Sequence, residues 1–130
     1  MKMLVRAAAV AAVAIVATSP APADRRITGA EAQKALAGKT FQLQCIDGTL
    51  GRGFFNSNGV VTVSFKRSAA REDAAETVER AVVQVRGDQI CVAWKEFDGG
   101  GNSCYPVTMR SPTLFRLGVD GRWCDIAAAH

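Results

Sequence analysis

The sequence is poor in histidine, and this shortage excludes several classes of catalytic site. Its one histidine, His130, is the last residue and follows three alanines. A general base at a frayed chain end cannot be held against a nucleophile, so serine–histidine–aspartate, cysteine–histidine and HExxH sites are excluded. No GxSxG motif occurs either. The sequence therefore predicts a protein that is not an enzyme and that uses no cofactor.

The four cysteines lack the close spacing of metal and redox sites. Cys45, Cys91, Cys104 and Cys124 are separated by 46, 13 and 20 residues. Zinc sites normally use two closely spaced ligand pairs, and thioredoxin-like sites use CxxC, so we expect neither a metal nor a redox centre. An even number of well-separated cysteines in a small chain predicts two structural disulfides.

Long apolar runs are also missing, and the longest run marks an export signal. Lys2 and Arg6 precede 11 apolar residues, Ala7 to Ala17, which are too few to cross a bilayer core of about 20 residues. The segment Ala21-Pro22-Ala23 supplies the small residues that a signal peptidase reads. Residues 1–23 are thus predicted to be a removable signal peptide, which leaves a periplasmic or secreted chain without a membrane span.

The chain that remains, residues 24–130, is expected to form one domain with little net charge. Removing Lys2 and Arg6 leaves 14 basic against 12 acidic side chains, a net charge of +2. Lys66-Arg67 is the one basic pair within a patterned segment, and Glu72 and Asp73 follow it. Nucleic-acid binders instead cluster basic residues on one face, so no nucleic-acid partner is expected.

From Thr40 onward the hydrophobic pattern has a period of two, which is typical of half-buried strands. Pairs such as Asn58-Gly59 and Asp120-Gly121 favour tight hairpin turns between them. Eight short strands in series predict a mainly β fold, a small antiparallel meander or barrel, and closure would remove exposed edges. The predicted strands are TFQLQCI, GFFN, VVTVSFK, AVVQVR, QICVAWK, CYPVTMR, LFRLGV and RWCDIA.

Three segments fall outside this alternation. Thr28 and Glu31 form a capping box for a short N-terminal helix that ends near Gly38, and this helix would lie on a sheet or plug one end of a barrel. Gly51-Arg52-Gly53 is interpreted as a hairpin turn. Residues 67–80 are polar and form either a short surface helix, with Glu76 and Arg80 at i and i+4, or an unstructured excursion.

Strand parity selects one disulfide pairing. Cys45 shares a strand face with Phe41 and Leu43, and Cys124 shares one with Ile126, so both should point inward. Cys91 and Cys104 lie on the faces opposite their apolar neighbours and should point outward. Only the pairs Cys45–Cys124 and Cys91–Cys104 keep each bridge on one side of the sheet.

Two surface segments are candidates for binding, residues 67–80 and the loop 96–103. Phe97 is either an exposed anchor, with Asp98 and Asn102 as its polar neighbours, or a lid folded over the barrel mouth. Asp125, between Cys124 and Ile126, is a carboxylate that no turn explains.

Several short motifs resemble those of small exported alphaproteobacterial β-domain proteins of unknown function. They are ITGAEAQKALAGKTF, FFNSNGVV, RGDQICVAW, NSCYPV and VDGRW, and they extend over nearly the whole chain after the leader. This resemblance implies a small exported β-domain and no particular activity.

A second resemblance is to the periplasmic inhibitors of c-type lysozyme, which are small disulfide-closed β-barrels. Residues 41–48, FQLQCIDG, resemble their opening strand, and Ser68-Ala69-Ala70-Arg71 resembles part of the serine-containing loop that they insert into the lysozyme cleft. The resemblance implies roles for Ser68 and Arg71 in binding. Glu72 stands where that family has an aromatic residue, and its Thr-Lys-Gly loop is missing from the sequence.

Taken together, these patterns predict an exported periplasmic protein that binds another, unidentified envelope protein without catalysis. Two alternatives remain, a lysozyme-inhibitor-like protein and a barrel that carries a small apolar ligand. A carrier needs an internal cavity of roughly several hundred Å³.

Overall fold

Eight antiparallel strands close into a barrel in the computed structural model, which describes residues 24–67 and 73–129. A ninth, short strand and one helix precede the barrel, and a single 3₁₀ turn, Phe97–Gly99, interrupts it. In chain order the elements are β1 (Arg25–Ile27), α1 (Gly29–Leu36), β2 (Lys39–Cys45), β3 (Leu50–Phe55), β4 (Val60–Lys66), β5 (Thr77–Arg86), β6 (Gln89–Trp94), β7 (Gly101–Ser111), β8 (Leu114–Val119) and β9 (Arg122–Ala128).

The barrel is an up-and-down meander in which each strand pairs with the next. The last strand, β9, pairs with the first barrel strand, β2, from Phe41 opposite Ala128 to Cys45 opposite Cys124. The predicted eight-strand antiparallel fold is therefore confirmed, and the barrel is closed. Because the strands alternate in direction, residues 46–49, 67, 73–76, 95–100 and 120–121 lie at one end, which we call the mouth, and α1 lies at the other.

The N-terminal helix closes the end opposite the mouth. Thr28 and Glu31 form the expected capping box, and Ala32 and Leu36 are buried in the core. The helix starts so close to the barrel that a Cβ on Gly29 would lie 2.3 Å from the carbonyl oxygen of Gln89. Ahead of it, β1 pairs with β7, a contact that the sequence does not predict because three residues are too few to show alternation.

The interpretation of Gly51-Arg52-Gly53 as a turn is wrong, since these residues lie within β3. Gly51 and Gly53 face the interior, where a Cβ on Gly53 would lie 2.6 Å from Cζ of Phe41. The missing side chain of Gly53 thus makes room for the Phe41 ring, and that of Gly51 makes room for Cδ2 of Leu43 and Cβ of Phe65.

Of the two interpretations of residues 67–80, the surface helix with Glu76 and Arg80 at i and i+4 is wrong, and an excursion as far as residue 80 is too long. Strand β5 begins at Thr77, and its register runs from Phe65 opposite Thr77 to Val60 opposite Val82. Glu76 accepts a hydrogen bond from the Ser64 hydroxyl and lies 3.5 Å from Arg52, and these contacts lower its pKa. The connection between β4 and β5 therefore spans residues 67–76.

Both disulfides form as strand parity predicts, Cys45–Cys124 between β2 and β9 and Cys91–Cys104 between β6 and β7. Each joins residues directly opposite in the ladder. Cys45 is 8% exposed and contributes to the core, whereas Cys104 is exposed on the outer surface. The Cys45–Cys124 bridge covalently joins the first strand of the barrel, β2, to the last, β9.

Candidate functional site

An open cleft of about 520 Å³ lies at the mouth of the barrel. The buried side chains Phe65, Phe97 and Leu117 form its floor, and the exposed side chains Arg67 and Arg122 stand on its rim. Four connections contribute described residues to it: the β2–β3 turn, the β4–β5 connection through Arg67, the 95–100 loop and the β8–β9 turn. The cleft therefore has an apolar base and charged edges.

Phe97 closes the barrel beneath this cleft, so its interpretation as an exposed anchor is wrong. Its side chain is 6% exposed. The ring makes an edge-to-face contact with Phe65, with centroids 5.0 Å apart, and lies 4.7 Å from the ring of Trp94. Aromatic burial of this kind makes a large contribution to stability, and Phe97 acts as the lid that the second interpretation describes.

A buried carboxylate that the sequence analysis missed holds the same loop. Glu79 is 6% exposed, and its carboxylate accepts hydrogen bonds from three consecutive backbone amides, those of Lys95, Glu96 (3.2 Å) and Phe97 (2.9 Å). The signal was present in the sequence, because Glu79 shares strand parity with the inward residues Ala81 and Val83. An acidic residue at an inward position needs donors nearby.

Asp98 follows Phe97 and links the loop to the opposite side of the mouth. The indole N–H of Trp94 donates to the Tyr105 hydroxyl (2.8 Å), which donates to Oδ2 of Asp98 (2.7 Å). Arg122 Nη2 donates to Oδ1 of Asp98 at 3.3 Å. Burial, followed by the hydrogen bond to Asp98, raises the pKa of Tyr105 well above its ordinary value. Among non-glycine residues that the structure describes, Asp98 is the one with a positive φ, 55°.

Asn102, another predicted binding residue, does not join this site. Asn102 lies on β7 beside a separate outer hollow that Val82, Cys91 and Cys104 also line. It is therefore not a neighbour of Phe97 and Asp98 in a single patch. Ser68 and Arg71 lie outside the described residues.

Asp125, the carboxylate without a turn to explain it, has a structural role on the outer surface. It accepts two hydrogen bonds from Arg116, at 2.8 and 3.1 Å, across the β8–β9 ladder. The Arg116 guanidinium also lies 3.6 Å from the ring centroid of Trp123. Asp125 thus forms a bidentate ion pair with Arg116, which also stacks on Trp123. These contacts explain the position of Asp125 without a catalytic role.

The barrel interior is filled by its own side chains. About 50 Å³ remains empty among core residues such as Leu43, Val63 and Ile126. Ligand sites usually measure roughly 300 Å³ or more. The interior void is therefore too small for a carried ligand, and the open mouth is the larger space.

Residues 24–67 and 73–129 contain neither a metal-binding cluster nor a membrane-spanning helix. No group of three or more histidine, cysteine, aspartate or glutamate residues in these ranges could hold a metal ion. None of the helices in the same ranges is long and apolar enough to span a membrane.

The sequence and fold were also compared with known proteins. The chain matches no protein-family model, no curated protein and no solved structure. What this barrel does must therefore be inferred from its own side chains.

Proposed function

We propose that this protein is an exported, non-catalytic binding protein that holds another envelope protein at the mouth of its barrel. The observation that carries the proposal is the rigid 95–100 loop beside an open cleft. Glu79 fixes three of its amides, Phe97 anchors it in the core, and Cys91–Cys104 crosslinks the hairpin below it. A loop ordered in advance loses little conformational entropy when a partner binds.

Export is part of the proposal and rests on two features. Disulfides persist in oxidising compartments such as the periplasm, and this chain has two. The predicted signal peptide, residues 1–23, lies outside the described residues.

A crosslinking experiment tests the site of binding. Ile46 lies at the mouth, lines the cleft and is 51% exposed, whereas Ser57 is exposed in the turn at the helix end. A photoreactive p-benzoylphenylalanine would replace each residue in turn, and the oxidised protein would be irradiated in envelope extract. We expect a discrete adduct from position 46 that excess unlabelled protein abolishes. Identical adducts from both positions, or an adduct from position 57 alone, would contradict the proposal.

The lysozyme-inhibitor resemblance supplies a second candidate function. Its support is Arg67, which directly precedes Ser68 in the sequence and lines the mouth cleft. A loop at this end of a closed, disulfide-bonded barrel could enter a partner's cleft. The two candidates use the same end of the molecule and differ in the partner.

A further inference from the structure

The carboxylates that the structure describes in the mouth cleft are hydrogen-bonded within the protein. Among the described residues, Asp47 and Asp98 line the cleft. Tyr105 and Arg122 donate to the two oxygens of Asp98, as described above. Oδ1 of Asp47 accepts the backbone N–H of Thr49 at 2.9 Å within its own turn. Both carboxylates thus already have donors from the protein itself.

Hydrogen-bond donors, in contrast, are in excess on the same rim. A guanidinium group carries five N–H donors. Among the described residues, Arg67 uses one nitrogen, Nη2, to reach the Glu96 carbonyl at 3.4 Å. Arg122 likewise uses Nη2 alone, toward the carbonyl and Oδ1 of Asp98, and its side chain is 74% exposed. Most N–H groups of both arginines thus have no acceptor among the residues that the structure describes.

Arg122 is also oriented by a chain of hydrogen bonds that begins in the core. Asp98, which orients it, is itself fixed by Tyr105 and through it by Trp94. Asp98 adopts a left-handed backbone conformation, which side chains other than glycine rarely adopt and which clusters at functional sites. An arginine oriented in this way is ready for two-point recognition of a planar oxyanion.

Apolar surface lies next to these donors. Ile46 is 51% exposed at the cleft, and Phe65 and Leu117 contribute to its floor. A ligand that fills the cleft should thus combine a carboxylate with an adjoining apolar side chain. An extended protein segment with an acidic residue beside an aliphatic one meets both requirements.

Building on the proposed binding role of the mouth, we infer that the cleft recognises an acidic–apolar peptide segment of its protein partner. The carboxylate of an Asp or Glu in that segment is held by Arg67 and Arg122, and the neighbouring apolar side chain lies against Ile46 and Leu117. The inference names the chemistry of the partner's contact segment.

Two capped peptides that differ only in charge test this inference. The probes are acetyl-Leu-Glu-Leu-amide and acetyl-Leu-Gln-Leu-amide, each titrated to about 10 mM into the ¹⁵N-labelled, oxidised protein as exported, a range that detects millimolar affinity. We expect saturable chemical-shift changes with the Glu peptide at residues 46–49, 97–101 and 121–124. The Gln peptide should bind about fivefold more weakly or not at all, because charge-assisted hydrogen bonds to arginine are lost. Added salt should weaken the Glu peptide alone.

Substitutions of Arg67 and Arg122 test whether these arginines cause the preference for the Glu peptide. Arg67→Gln and Arg122→Gln should each weaken the Glu peptide about threefold to fivefold, as expected for exposed charge pairs. Arg86→Gln is the matched control, because Arg86 is an exposed arginine at the helix end of β5. It should leave the affinity unchanged.

Equal binding of the two peptides, shifts outside the mouth, or no shifts at all would overturn the inference. If position 46 still gave a specific adduct in the crosslinking experiment, the proposed function would stand and a different chemistry would mediate it. Loss of that adduct would instead contradict the proposed function itself.

Discussion

The carboxylate of Glu79, on β5, accepts a hydrogen bond from the backbone amide of Phe97, 18 residues further along the chain. This contact joins the mouth end of β5 to the loop that covers the mouth. It acts together with the amides of Lys95 and Glu96, so one side chain satisfies three donors of an otherwise irregular segment.

Replacing this carboxylate should loosen the loop and destabilise the fold. We expect Glu79→Gln to lower the free energy of unfolding by about 1–3 kcal/mol, because a carboxamide has one acceptor oxygen in place of two and leaves buried amides unsatisfied. Urea denaturation measures the loss, and hydrogen exchange should accelerate at residues 95–97. Glu96→Gln, on an exposed side chain, is the control and should change stability by less than about 0.5 kcal/mol.

Removing the aromatic lid should have a larger effect. Phe97→Ala deletes a ring that contacts both Phe65 and Trp94, and we expect a loss of about 3–5 kcal/mol in the free energy of unfolding. Ile46→Ala at the exposed rim should cost little by the same assay. A Phe97→Ala protein as stable as the wild type would show that the ring does not close the barrel.

The two disulfides should differ in their contribution. They join residues 79 and 13 positions apart. In the chain-entropy model the longer loop gives about 4.5 kcal/mol and the shorter about 3 kcal/mol. Paired Cys→Ala variants, Cys45 with Cys124 and Cys91 with Cys104, would be compared by thermal and urea unfolding. A larger loss from the Cys91–Cys104 variant would contradict this order.

Tyr105 gives a direct spectroscopic test of the mouth network. Its pKa is raised by burial and by Asp98, and it is the single tyrosine of the chain, so tyrosinate absorbance reports it alone. We expect that absorbance to appear only above the usual range near pH 10.

The same shift predicts a loss of stability in alkali. Since the folded protein keeps the Tyr105 proton at pH values where the unfolded chain has lost it, the stabilisation is complete below about pH 10 and falls as the pH rises above it. Urea unfolding as a function of pH measures this slope. Tyr105→Phe should remove that component of the slope, and an ordinary titration near pH 10 in the wild type would rule out the buried network.

Inhibition of a c-type lysozyme tests the second candidate function. If the resemblance of residues 68–71 reflects function, the oxidised protein should inhibit lysozyme at micromolar concentration, and Ser68→Ala should abolish the inhibition. Ser57→Ala, at the helix end, is the matched control. No inhibition by the wild-type protein would remove this candidate.

The sequence predicts the strands and their pairing well, because alternation and parity are local properties. Cys45 and Cys124 could be paired from the strand face that each occupies, and the structure agrees. The sequence does not show why a glycine is needed at position 53. The need arises from the Phe41 ring, which reaches this position from the neighbouring strand.

The candidate site depends more strongly on tertiary contacts. Phe97 is separated from Phe65 by more than thirty positions along the chain, so no local pattern distinguishes a lid from an exposed anchor. Arg122 follows a turn and has no apolar periodicity of its own, and its place on the cleft depends on closure of the whole barrel.

The pairing of β2 with β9 also bears on how the chain folds. A meander can add one strand after another through short hairpins, but the ring is complete only when the last strand reaches the first. Until then β2 has an unpaired edge that could recruit a strand from another molecule. Contacts this distant along the chain form slowly, because the loop between them must first be closed. Oxidation of Cys45 with Cys124 crosslinks that final seam, so the disulfide would prevent the ring from reopening.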